Sequence, residues 1–232
     1  FTANKTINDY FEKTGLLYSI DVSSAGSNGI TDAMVTKIAA IPGVQSASPI
    51  INMSHFESVK FGDNVANSFQ SRAESANGTT KQIIAFGRDL TETDTGAMVL
   101  VSKDIANVLT DKNPESLINQ QITLVTNTNY NGPDQKKENC DLQTMTCESV
   151  EISATVVGIS DGQRSILFPL QYGVDQSESR SYSEIPSCQG FSDPKATCED
   201  GVITFSNNPI KETGYYSLRI RAASSEVIPG IG

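Results

Sequence analysis

At 232 residues the chain is long enough for one large domain or two small ones, and with 38% hydrophobic and 19% charged residues it is too apolar to remain disordered. Its 27 acidic against 17 basic residues leave a net charge of −10, which repels a phosphate backbone and an anionic lipid surface, so nucleic acid is excluded as a partner. No stretch approaches the roughly 18–20 apolar residues of a membrane-spanning helix, and a start at Phe1 with no basic-then-apolar leader reads as a processed product or an excised piece.

In chain order, residues 1–15 are polar, with Ile7, Tyr10 and Phe11 on one helical face, and read as a stalk or linker. Leu16 to Ala25 is a predicted strand ending in the turn GSNG. Thr31 is placed to cap a helix whose Met34, Val35, Ile38 and Ile41 recur at helical spacing, and Pro42-Gly43 ends it. From Val44 to Phe61 the pattern is extended, with Ile51, Met53, Val59 and Phe61 sharing a face. This strand, helix and strand form one half of a split βαβ arrangement. Residues 62–80, rich in Asn, Ser and Gly, read as a loop with room for a short helix.

Buried strands are predicted at 82–86 and 97–101. Ser102 is placed to cap a helix carrying Ile105, Val108 and Leu109, broken by Asn113-Pro114. Strands follow at 120–127 and 151–159, then a short apolar run at 166–170, and the last strands at 202–205 and 215–222. Two polar excursions interrupt this series, between 127 and 151 and over 171–200.

Each excursion holds two cysteines, Cys140 with Cys147 and Cys188 with Cys198. Of the pairings four cysteines allow, the two local ones are predicted, because each closes a short polar loop. The alternative, four buried free thiols, fits poorly with hydrophilic flanks. Neither pair is CxxC, and one histidine is too few to complete a usual Cys/His zinc site. Disulfides point to an oxidising compartment outside the cytosol.

Catalytic patterns are absent. The single histidine, His55, lies in an extended segment, where a surface or pairing role is the commoner one. Ser54 beside it adds nothing, because triads form in space. No GxxxxGK[ST] or GxGxxG occurs, so neither ATP hydrolysis nor a cofactor is expected of this chain. Asp89, Glu92 and Asp94 form an acidic loop without EF-hand spacing, which reads as a solvated turn and not a metal site. Asn4, Asn52 and Asn77 open N-x-[ST] triplets, which matter only in a glycosylating host.

The order of motifs resembles the periplasmic core domain of macrolide-exporter-type, MacB- and FtsX-like, ABC transporter permeases. The segments that carry the resemblance are MVTKIAAIPGVQSASPI (34–50), FGRDL (86–90), GAMVLVSKDIANVL (96–109), INQQITLV (118–125), ATVVGIS (154–160) and LFPL (167–170), with a terminal strand at YYSLRIRA (215–222). Asn119 stands where the family usually has Gly, and the excursion over 171–213 is longer than the family pattern. The resemblance implies an α+β fold: a stalk over 1–15, a porter-like split βαβ subdomain from 16–62 plus 214–232, and an inserted β-rich subdomain over 80–213. It implies no catalytic, cofactor or metal residues. As function it implies transmission of ATP-driven movement from a cytoplasmic ABC ATPase. As partners it implies an adaptor or cell-wall protein, with homodimer formation only in the full transporter. Rival readings are a substrate-capturing domain for peptides, lipids or antibiotics, which needs a concave apolar pocket, a secreted adhesion protein, and an extracellular hydrolase.

Overall fold

The computed structural model describes residues 18–24, 29–76, 81–141, 146–184, 187–190 and 192–223. The expected stalk, most of the GSNG turn, the triplets at Asn4 and Asn77 and the terminal VIPGIG lie outside these residues.

The first unit is β1 (Ser19–Ser23), α1 (Asp32–Ala39) and β2 (Val44–Asn52). Thr31 caps α1 as its spacing predicts, its hydroxyl accepting from Met34 N–H at 3.3 Å. Val35 and Ile38 of α1 pack with Ile30, Leu218 and Ile220. The last two belong to β16 (Ser217–Ala222), which pairs antiparallel with β1 on one side and with β2 on the other. The final strand therefore slots between the two strands of the first unit, which is the split βαβ arrangement. It also brings Ser19 opposite Arg221, so the chain enters and leaves this sheet at one edge.

Of the segment 62–80, which the sequence predicts to be a loop, the described residues 62–76 are mostly strand. They hold β4 (Asn64–Asn67), which closes a hairpin with β3 (Phe56–Phe61), and β5 (Gln70–Glu74), which lies between β2 and a later strand. NVAN and QSRAE show no apolar alternation over a useful length. Their strand state comes from neighbours far along the chain, and local propensity does not announce it.

The remaining strands are β6 (Ile84–Gly87), β7 (Met98–Ser102), β8 (Gln121–Thr126), β9 (Cys140–Asp141), β10 (Thr146–Cys147), β11 (Glu151–Ser160), β12 (Ser165–Pro169), β13 (Ser179–Glu184), β14 (Ala196–Glu199) and β15 (Val202–Asn207). Eleven strands join into one sheet in the order β1-β16-β2-β5-β12-β7-β11-β8-β3-β4, with β6 on β11. The β5–β12 and β7–β11 pairs are parallel and the rest antiparallel. The segment 56–61, which a boundary at residue 62 groups with the first unit, pairs with β8 on the far side of this sheet.

Helix α2 (Lys103–Leu109) follows β7 and buries Ile105, Ala106 and Leu109. Ser102 occupies its N-cap position, but its hydroxyl makes no cap bond and accepts from Ser165 N–H of β12 at 3.1 Å. Two short helices lie where polar excursion was expected: α3 (Leu170–Gln176) directly after β12, and α4 (Pro209–Thr213) before β16. Asn119, the departure from the family's Gly, has φ +61°, and Asn is one of the few side chains that tolerates this left-handed conformation. Gly158 in the VVGI segment has a second reason to be glycine. A Cβ there would overlap the carbonyl oxygen of Arg88, where β11 passes the chain leaving β6.

Candidate functional site

The strands end in a region where β2, α3, α4 and the start of β16 converge, and His55 sits within it. The residue is in the turn Ser54–His55 joining β2 to β3, not in a strand. Its ring stacks on Tyr130 with centroids 4.9 Å apart and tilts against Phe56 at 4.3 Å. The contacts continue from Phe56 to Phe168 at 5.4 Å and from Phe168 to Tyr172 at 5.1 Å. Five rings thus run in series from the loop after β8, through the β2–β3 turn and β12, to α3.

Burial holds the His55 pKa down at about 4, opposed only in part by the Asp134 carboxylate, so the ring is neutral at neutral pH. Its Nε2 is buried and without a hydrogen-bond partner. The hydroxyl of Tyr172 is likewise buried and unpaired, and burial raises its pKa. Tyr130 is better placed: its hydroxyl donates to Gln176 Oε1 at 2.6 Å, and Gln176 Nε2 donates to Asp134 Oδ2 at 3.0 Å.

Beside His55 is a half-open cavity of about 350 Å³. Ile50, Ile51, Met53, Ile210 and Tyr216 supply its apolar wall, and His55 is among the residues that line it. The wall at α3 and α4 is fixed by one side chain. Asn208 accepts from Ser177 Oγ at 2.7 Å and from Lys211 N–H at 3.0 Å, and donates to the Val174 carbonyl at 3.0 Å. Gly173 lets α3 lie close, since a Cβ there would overlap Ala73 of β5.

The two cysteine excursions meet each other on the outside of this region. Cys140 bonds Cys147 across β9 and β10, and Cys188 bonds Cys198 at β14. Strands β13, β15 and β14 form a separate three-stranded sheet. Tyr182 of β13 donates its hydroxyl to the Gln135 carbonyl at 3.0 Å, and Arg180 N–H donates to the Asn131 carbonyl at 2.6 Å. Gln135 itself is buried and holds the first excursion together, donating to the carbonyls of Glu148 at 2.9 Å and Tyr130 at 3.3 Å.

The acidic loop is internally committed. Asp94 is buried and receives both terminal nitrogens of Arg88, at 2.6 and 2.7 Å, together with Thr91 N–H at 2.7 Å. The guanidinium holds its carboxyl below the usual range. Asp89 accepts from Leu90 N–H, and burial raises its pKa. Asp94 is therefore an ion-paired structural residue and not part of a solvated turn. Asn52 is exposed on the rim of the cavity. Sequence patterns missed Tyr130, Phe168, Tyr172, Gln176 and Asn208, because each acts through partners far along the chain.

The profile of the MacB-like periplasmic core domain matches residues 2–193. No curated protein sequence matches the chain. Among solved structures, the extracellular domain of the noncanonic ABC-type transporter YknZ from Gram-positive bacteria is similar, with a TM-score of 0.51 and 11% identity, over 92% of this chain and 88% of that one. The periplasmic region of MacB from Actinobacillus actinomycetemcomitans has a TM-score of 0.48 and 12% identity, over 97% of this chain and 96% of that one.

Proposed function

The chain belongs to the MacB-like periplasmic core domain family, and we propose that it works without chemistry of its own, passing ATP-driven movement outward and presenting its cysteine-closed lobe to an extracytoplasmic partner. It is a periplasmic or extracellular domain of an ABC transporter permease, a class that works with a cytoplasmic ATPase. The observation that carries the proposal is the single mixed sheet. It starts at β1 and β16, where the chain enters and leaves side by side, and reaches β4 without a break. Movement applied at that edge is carried by paired strands and by the five stacked rings, which abut the first excursion at Tyr130. A close-packed interior transmits such displacement because it compresses little.

An adaptor or cell-wall protein is the partner this arrangement suits, and the disulfides lower the ordering cost of the loops that would meet it. The two-part division, a porter-like half around β1, β16 and β2 and a β-rich lobe beyond it, describes the moving parts. The full transporter is expected to act as a homodimer. The test uses the whole transporter with residues 180–206 removed, since Ser179 and Asn207 are cross-strand partners that a short Gly linker can join. Basal ATPase activity should stay and coupling to the partner should fall. Unchanged coupling would sink the assignment of that lobe, and an intrinsic activity lost in His55→Ala would sink the non-enzymatic reading.

A further inference from the structure

We infer that Asn131 and Gly132 form a self-modifying link, in which the Asn131 side chain cyclises onto the Gly132 nitrogen with loss of ammonia, and that the product loosens the joint between the two cysteine-closed excursions. This goes beyond the transmission role, because it concerns the chemistry of one peptide link within the chain.

The sequence has three Asn-Gly steps, at residues 28, 77 and 131, and the last lies wholly within the described residues. Three features of that step suit cyclisation. Asn131 is exposed in the loop after β8, and among the described residues its side-chain amide has no hydrogen-bond partner. Other asparagines are held: Asn64 donates to the Leu109 carbonyl, Asn127 accepts from Asn129 N–H, and Asn208 is tied to Ser177, Lys211 and Val174. The Gly132 N–H is also without a partner, while its carbonyl accepts from Gln135 N–H at 3.0 Å. Its nitrogen therefore gives up no hydrogen bond on attack. Finally, packing demands glycine here. A Cβ on residue 132 would overlap the ring of Tyr130, which stacks on His55. The site thus keeps the one residue type that leaves the nitrogen unshielded. Gly132 is buried, but the attack is internal to the chain, and solvent is needed only at exposed Asn131.

The Gly132 nitrogen bonds to Cγ of Asn131, and its proton goes to the departing amide, which leaves as ammonia. One water then opens the five-membered imide. Opening at Cγ gives aspartate. Opening at the former main-chain carbonyl gives isoaspartate, whose chain is longer by one methylene. Water is the only co-reactant.

The consequence falls on a joint. The Asn131 carbonyl accepts from Arg180 N–H of β13 at 2.6 Å, and this bond, with that from Tyr182 to Gln135, links the first excursion to the second. In isoaspartate that carbonyl carbon leaves the main chain and becomes a free carboxylate, so Arg180 loses its fixed acceptor.

The experiment ages the 232-residue chain in mildly alkaline buffer and maps its peptides by mass. Asn131 should gain one mass unit, as separable aspartyl and isoaspartyl peptides, and Asn64, Asn127 and Asn208 should gain none. In the isoaspartyl fraction amide exchange should quicken at Arg180 and stay unchanged in β7, β11 and β12. Asn131→Gln cannot close the five-membered ring, and should age without mass gain and with Arg180 still protected. Fresh Asn131→Asp adds the charge without the methylene, and should also keep Arg180 protected. No conversion of Asn131 under conditions that convert a free peptide of residues 129–134 would overturn the inference. So would equal conversion of the other three asparagines, or Arg180 exchange that is unchanged in the isoaspartyl fraction or quickens equally in aged Asn131→Gln.

Discussion

His55 ties the stability of the chain to pH by a route that its sequence neighbourhood does not suggest. In the unfolded chain its pKa is the ordinary 6.5, and in the folded chain burial lowers it to about 4. Above pH 6.5 both states are neutral and the residue adds no pH dependence. Between 6.5 and 4 the unfolded chain takes up a proton that the folded chain refuses, so stability falls as pH falls, by about 3 kcal/mol in all. Urea midpoints measured from pH 7.5 down to 4.5 should show this decline, and His55→Phe should flatten it in that window. A parallel decline in the variant would assign the effect to other groups. Gly158 makes a second prediction at this scale. The carbonyl oxygen of Arg88 occupies the space a methyl group needs, and Arg88 is held against β11 by its N–H donating to the Val157 carbonyl at 3.1 Å, just past the β6–β11 pairing. Gly158→Ala should cost about 1–3 kcal/mol, read as a lower urea midpoint with an unchanged slope.

Among the elements, those with a local cause were legible and those held by distant partners were not. Thr31 with its helix, the buried strands β7 and β11, and the last strand β16 followed from capping, apolar runs and punctuation. β4 and β5 did not, because Asn64, Asn67, Gln70 and Arg72 are strand residues only through β3, β2 and β12. Helix α3 was hidden by its seven-residue length and by a sequence, LQYGVDQ, with a glycine in it. The aromatic series and the cavity could not be read at all, since residues 55, 130, 168 and 172 have no common spacing. The excursions were legible as cysteine-closed loops, but not as partners of each other through Tyr182 and Gln135. Their bonds make the element-scale prediction. Non-reducing peptide mapping should recover Cys140 with Cys147 and Cys188 with Cys198. Replacing Cys188 and Cys198 by serine should lower the cost of opening β14 by about 2–3 kcal/mol, while β13 still holds β15. Amide exchange should quicken in β14 and stay unchanged in β7, β11 and β12. Exchange that quickens throughout would mean that this small sheet supports the main one.

At the scale of the molecule, the question is whether the two proposed moving parts are also two folding units. The main apolar cluster argues that they are not. It includes Met53, just past the end of β2, and Ala73 of β5, together with Phe168, Ile166, Val101 and Ile159 from the strands beyond. β5 is hydrogen-bonded to β2 on one edge and to β12 on the other, so neither side of that junction can be exposed without stripping the other. The smaller cluster under α1 shares these strands through Ala47 on β2. A junction of this kind allows small elastic displacement and opposes independent unfolding, which suits a part that must pass movement on. The chain has no Trp, so the packed rings at Tyr130, Phe168 and Tyr172 dominate as tertiary probes in the near ultraviolet, while the sheet is read in the far ultraviolet. In urea the two signals should fall together in a single transition, with coincident midpoints. If the near-ultraviolet signal were lost first, with the sheet signal persisting through a second transition, the lobe carrying the rings would be a separate unit, and movement would have to cross a hinge at β5 instead of a continuous sheet.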